Sequence, residues 1–299
     1  MAEPLRIAGR VSSLAAGLTV RRVLPSAVRR SVGPFIFFDH FGPVDLPAGA
    51  DSDVGGHPHI GLATVSYLFE GSLMHRDSLG SVQKILPGDI NWMTAGRGIV
   101  HSERVPDDAR GQPRRLHGLQ LWVALSPALE DCAPAFQHVP AAALPQWYTP
   151  EGVRLRLLVG QVGSHRSPVQ AASPTLYLEV QLPPRTAWTL PSLAEEMALY
   201  SPQHALQLDG QALAPQVMAV LPTGVPVQLH AGAEGASLVV IGGASLARPV
   251  RMWWNFVASE PQRIAQAARR WDEGGFDPIP GETDRLPGPA RPFTFSSTF

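Results

Sequence analysis

The sequence predicts an all-β protein made of two barrels in tandem, with one short helix near the C-terminus. Three observations carry this. Thirty prolines and 28 glycines cut the 299 residues into short pieces. The pieces between them are β-type apolar runs, and only one stretch has a helical pattern. The text of the first half is also echoed in the second.

Taken in order, residues 5–31 are rich in Arg and Ser and poor in acid, which superficially suggests a transit peptide. They run without a break into well-patterned text at Gly33, so they are read as opening strands. Strand-type runs follow at 62–69, 82–86 and 119–125 in the first half, then at 153–159, 176–182, 217–221 and 237–241 in the second. Many short strands at regular spacing, with turn residues between, indicate sandwiches or barrels. Pro140, Pro145, Pro150 and Gly152 interrupt an Ala-rich, unpatterned stretch, which puts a boundary within 138–152. That division gives one domain over 1–140 and a second over 141–299, the second including the helix and the tail. The helix is expected over 261–271, with Pro261 in its first turn and Gly274-Gly275 just past its end.

The echo is a strand–turn–strand phrase. Leu68-Phe69-Glu70-Gly71, Ile85-Leu86-Pro87-Gly88 and Thr94-Ala95-Gly96 succeed one another in the first half. Gln207-Leu208-Asp209-Gly210, Val220-Leu221-Pro222-Thr223-Gly224 and His230-Ala231-Gly232 do so in the second. The parallel favours two similar barrels.

Composition narrows the function classes. A formal net charge of -1 gives no general pull toward nucleic acid or membrane. The basic stretches Arg21, Arg22, Arg29, Arg30 and Arg110, Arg114, Arg115 read as solvated faces, since no nucleic-acid module accompanies them. Cys132 is the only cysteine, so an intrachain disulfide and a multi-cysteine zinc site are both excluded. No apolar run suits a signal peptide or a membrane span, and a cytoplasmic protein is expected. No P-loop or dinucleotide fingerprint is present.

Seven of the ten histidines lie between residues 40 and 138, which places the chemistry in the first half. Two elements stand out: Gly55-Gly56-His57-Pro58-His59-Ile60-Gly61 and Ala95-Gly96-Arg97-Gly98-Ile99-Val100-His101-Ser102-Glu103. Strand side chains alternate faces, so His57 and His59 point the same way, as do His101 and Glu103. Two such strands facing each other in a barrel would converge four ligand atoms on one point. Imidazole with carboxylate and no thiolate suits Fe(II), Mn(II), Ni(II) or Cu(II). Spacing by itself leaves a purely structural reading of each pair open.

Residues 33–125 resemble the N-terminal domain of the pirin family, a branch of the cupin superfamily. The matching text comprises Gly33-Pro34-Phe35, Phe38-Asp39-His40-Phe41-Gly42-Pro43, Gly56-His57-Pro58-His59-Ile60-Gly61, His75-Arg76-Asp77-Ser78-Leu79-Gly80, Pro87-Gly88-Asp89 with Trp92-Met93, and Ala95 through Glu103. Gly160-Gln161-Val162-Gly163 with Ser167-Pro168 resembles the opening of the family's second barrel, and Trp253-Trp254-Asn255-Phe256-Val257 looks like a pirin-like subgroup. The resemblance implies a bicupin of two tandem cupin-type barrels, with one metal in the first. It implies His57, His59, His101 and Glu103 as ligands and Fe(II) as the metal, with Mn, Ni, Cu or Zn as alternatives. His40 and His75 sit in matching motifs and could orient a ligand or simply satisfy structural hydrogen bonds. Asp39 and Asp77 read as turn or hydrogen-bonding residues, Gly96 and Gly98 as a bend that aims His101 inward, and Trp253, Trp254 and Phe256 as packing. The second half has no His-x-His, and Ser237-Leu238 stand where a His-x-Glu pair would be sought. His204 and His230 remain there, and a degenerate, metal-free barrel is expected.

Two functions follow from the resemblance. One is a dioxygenase of the quercetin 2,3-dioxygenase type, opening a flavonol-like aromatic substrate with O2, with Glu103 as the catalytic carboxylate that takes the substrate's proton. The other is a metal- or redox-sensing regulator that binds a protein partner, a transcription factor or metabolic enzyme. Neither calls for direct nucleic-acid contact or a membrane.

Overall fold

The computed structural model describes residues 3–13 and 18–290. Nearly all the regular structure among the described residues is strand, and each predicted run overlaps one: Leu62–Glu70, Val82–Ile85, Arg114–Ala124, Arg154–Val159, Thr175–Leu182, Met218–Val220 and Ala236–Gly243. The single α-helix among the described residues is Pro261–Asp272, with Pro at its start. Gly274 follows at φ +72°, and the Gly275 N–H donates to the Arg270 carbonyl, closing the last turn as a glycine stop does. The opening strands are Leu5–Ile7, Arg10–Ser13 and Thr19–Leu24, with 14–17 outside the described residues.

Two compact units result. Of the described residues, one holds 3–12, 20–40 and 139–246; the other holds 13, 18–19, 41–138 and 247–290. The C-terminal helix therefore groups with 41–138, whereas the contiguous division at 140/141 assigned it to the second half. The reason is local burial. Ile264, Ala267 and Trp271 form the helix's buried face, and they pack in one apolar cluster with Ile60, Val100, Phe256, Phe276 and Ile279. Trp253 and Trp254 border that cluster, as their packing role anticipates.

Strand order is the same in both units. In the unit of 41–138, one sheet places Ile90–Thr94, Leu62–Glu70, Arg114–Ala124 and Phe35–Leu46, of which only 41–46 belong to this unit, side by side. A four-stranded sheet runs Val54–His59, Ile99–Arg104, Leu73–Asp77, Val82–Ile85. In the unit of 139–246 the equivalents are Met218–Val220, Glu196–Tyr200, Ala236–Gly243, Thr175–Leu182, and a four-stranded sheet of Ala187–Leu190, Val227–Ala231, Leu206–Leu208, Gln211–Leu213. This is one cupin-type barrel twice.

The pairing also corrects the predicted register of the repeat. The turn at 209–210 joins Leu206–Leu208 to Gln211–Leu213, and its topological counterpart joins Leu73–Asp77 to Val82–Ile85. The sequence echo had matched it to the turn at Glu70-Gly71, one strand earlier. Every antiparallel pair needs a similar turn, so turn residues repeat at each hairpin and do not say which hairpin is which. By the same token Ser237 lies on the counterpart of Arg114–Ala124, and the counterpart of the strand carrying His101 is Val227–Ala231.

Candidate metal centre

Val54–His59 and Ile99–Arg104 are antiparallel neighbours in the four-stranded sheet of one barrel. Their register sets His101 directly opposite His57 and Ile99 opposite His59. Two-residue periodicity then turns all three imidazoles to the same face. They are buried at 8%, 1% and 2% exposure for His57, His59 and His101. Ring centroids lie 4.3 Å apart for His57–His101, 5.0 Å for His59–His101 and 5.1 Å for His57–His59. One potential ligand nitrogen from each falls within 4.8 Å of the others.

Glycines make this approach possible. Between His101/His57 and Glu103/Val54 the register slips, a bulge at Gly55-Gly56. A Cβ on Gly56 would come within 3.0 Å of the Asp284 backbone carbonyl oxygen, so the bulged strand can lie this close to that segment because the position is bare. Gly96 turns into the second ligand strand at φ +50°, where a Cβ would overlap the Cys132 carbonyl oxygen.

Hydrogen bonds settle two tautomers. His57 Nδ1 lies 2.9 Å from the Gly55 carbonyl, and His59 Nδ1 lies 3.2 Å from the Asn255 carbonyl. A carbonyl only accepts, so both Nδ1 atoms carry hydrogen and both Nε2 atoms keep a lone pair. His101 Nε2 is buried with no hydrogen-bond partner. Burial holds all three imidazoles neutral at ordinary pH. It pushes His57 down to about 4, with the Gly55 carbonyl working against it. Burial, reinforced by repulsion from neighbouring imidazoles, takes His59 and His101 well below their usual range.

Glu103 stands outside the three-histidine group. Its side chain is partly buried, and burial alone raises its carboxyl to about 7. The set fits a divalent transition metal. Three neutral imidazoles with lone pairs free, one of them on an orphaned buried nitrogen, and an uncompensated carboxyl nearby are what a cation of that class satisfies. Among the described residues these three histidines form the one grouping of three or more potential ligands.

The remaining motif residues divide. His75 belongs to the site: it lies on Leu73–Asp77, across from Glu103, with its Nδ1 3.4 Å from His101 Nδ1. His40 belongs to the other unit, where its Nδ1 pairs with the Tyr200 hydroxyl at 2.8 Å. Asp39 there takes two bonds from Arg22. Sequence reasoning missed Asn255, whose contribution is a backbone carbonyl 196 residues from His59 and carries no side-chain signal. It also missed Phe136, stacked on His75 with centroids 4.3 Å apart, and Trp122, edge-on to His59 at 5.2 Å.

At the equivalent place in the other barrel, Leu229 pairs with Trp188 and Val227 with Leu190. Trp188, Leu190 and Leu229 are buried in a continuous aliphatic core. Apolar side chains occupy the positions where the first barrel has imidazoles.

The sequence matches the Pirin family over residues 17–123 and the Pirin C-terminal cupin domain over 177–277. A Pseudomonas aeruginosa protein named "putative quercetin 2,3-dioxygenase" is 38% identical over 95% of this chain and 88% of its own length. A pirin-like protein of Caulobacter vibrioides is 40% identical, covering 87% of this chain and 94% of that one. The crystal structure of a quercetin 2,3-dioxygenase from Acinetobacter baumannii superposes with a TM-score of 0.89 at 34% identity, over 98% of this chain and 97% of the other.

Proposed function

The chain belongs to the pirin family, and from that premise we propose that it is a mononuclear Fe(II) dioxygenase of the quercetin 2,3-dioxygenase type, its metal held by His57, His59, His101 and Glu103. The observation that carries this reading is the convergence of three buried, neutral imidazoles, with His101 Nε2 left without a partner. The names borne by the similar Pseudomonas and Acinetobacter proteins support the substrate class.

When bound, the metal supplies Lewis-acid and redox chemistry toward an enol-bearing ring and dioxygen. The chain's own work is preparation. Gly55 and Asn255 hold two imidazoles in the tautomer that presents Nε2. Burial keeps the imidazoles neutral, with His57 lowered to about 4 and His59 and His101 well below their usual range. On this reading Glu103 is the carboxylate that accepts a flavonol hydroxyl proton.

Anaerobic loading with Fe(II), followed by air and quercetin, tests the proposal. Loss of the flavonol absorbance band with wild type but not with His101→Ala protein is the expected result. No bleaching by protein with iron demonstrably bound would refute the flavonol assignment and turn attention to a protein partner.

A further inference from the structure

His101 is the one imidazole of the three whose Nδ1 meets a side chain instead of a carbonyl, and that side chain is itself held at its far end. His75 Nε2 lies 3.0 Å from Asp77 Oδ2. A carboxylate accepts, so this nitrogen donates, and in the neutral imidazole His75 Nδ1 is left with a lone pair. Facing it at 3.4 Å is His101 Nδ1, which must then carry the hydrogen of that bond. The remaining lone pair of His101 falls on Nε2, the buried atom without a partner.

Each member of the chain is fixed independently. Asp77 is fully buried, and its other oxygen, Oδ1, accepts the Leu79 N–H at 2.9 Å and the Ser81 N–H at 3.0 Å. Holding the turn thus occupies Oδ1 and leaves Oδ2 for His75. The His75 ring lies flat on Phe136, with an interplanar angle of 9°. His75 and Asp77 are two residues apart on Leu73–Asp77, so they share a face, and Asp77 is the direct cross-strand partner of His101.

We infer that Asp77 and His75 are positioning residues: through the line Asp77 Oδ2, His75 Nε2–H, His75 Nδ1, His101 Nδ1–H they set the His101 tautomer and hold its Nε2 lone pair toward the metal. The inference rests on the proposed metal site only for its purpose, since the tautomers belong to the metal-free chain. A carboxylate at the end of such a line makes the ligating imidazole a stronger donor. At 3.4 Å the last bond is long, and it is the weak link that the two outer anchors keep aligned.

Asp77→Asn reverses the line. The amide oxygen can keep the turn, but its N–H2 can only donate toward His75 Nε2. His75 must then carry hydrogen on Nδ1, and His101 must accept there and move its own hydrogen to Nε2, where it competes with the metal. The test has two arms. Two-bond 15N–1H correlation spectra of metal-free protein read the imidazole tautomers, and anaerobic titration with Co(II), followed by its d–d absorption, reads affinity. We expect wild type to show His101 with hydrogen on Nδ1, Asp77→Asn to show it on Nε2, and Co(II) affinity to fall about 10- to 100-fold. An unchanged His101 tautomer and unchanged affinity in folded Asp77→Asn protein would overturn the inference. Should that variant fail to fold, His75→Phe keeps the ring stack and leaves Asp77 its turn bonds. There the same loss of affinity supports the inference, and wild-type affinity overturns it. If wild type shows the expected tautomers yet binds no Co(II), the proposed metal site fails while the hydrogen-bond line stands.

Discussion

Replacing Glu103 with Gln should make the metal-free protein more stable at neutral pH, by an amount that depends on pH in a defined way. The Glu103 carboxyl has its ordinary value of 4.5 in the unfolded chain and about 7 in the folded one, and burial is the cause. A group raised by folding contributes fully below its unfolded value, and the contribution is lost as pH climbs through the folded value. Between pH 4.5 and 7 the unfolded chain gives up this proton while the folded chain keeps it, so stability falls as pH rises. The full difference corresponds to about 3.4 kcal/mol at 1.36 kcal/mol per pKa unit. The side chain is only partly buried, and solvent screening brings the expected effect to roughly 2–3 kcal/mol. The histidines slope the other way: lowered by burial, they cost stability as pH drops below 6.5. They are common to both proteins and cancel in the difference. Denaturant unfolding of chelator-treated wild type and Glu103→Gln across pH 4.5–8 provides the measurement. The two should agree near pH 4.5 and diverge to the full difference above pH 7, with the variant more stable. A difference that stays flat with pH would refute the claim that this carboxyl is buried without compensation.

Metal binding should carry the same proton. With Glu103 as a ligand, Co(II) affinity should rise about tenfold per pH unit up to about 7 and then level, because the imidazoles are already neutral and only the carboxyl must ionise. Glu103→Gln should abolish that slope between pH 5.5 and 7, and a flat wild-type profile would remove Glu103 from the ligand set. Gly96→Ala should destabilise by at least about 2 kcal/mol, since it joins a positive φ to overlap with the Cys132 carbonyl. Gly49→Ala, also at positive φ but with nothing within 4 Å, should cost only about 1 kcal/mol, and equal unfolding midpoints for the two would contradict this account.

The Gly-Gly-His-Pro-His run and the Gly-rich approach to His101 and Glu103 could be read as same-face pairs because strand periodicity is a local property. Pro261 and Gly274 bounded the helix for the same reason: a proline's missing N–H and a glycine's tolerance of positive φ act within one turn. What the helix packs on was not legible, because burial is decided by partners far along the chain. The C-terminal segment accordingly groups with the first barrel's residues. The slip of one strand in the repeat has the same origin, since hairpin turns are local and pairing order is not. The sequence by itself determined the all-β class, the doubled barrel and the histidines that meet. Only the tertiary structure decided that a bulge at Gly55-Gly56 shifts Glu103 in register from His101, that the Asn255 carbonyl fixes His59, and that Asp77 and His75 line up behind His101. Those outcomes depend on hydrogen-bond register and on contacts between residues tens to hundreds of positions apart, and no local pattern of side chains encodes them.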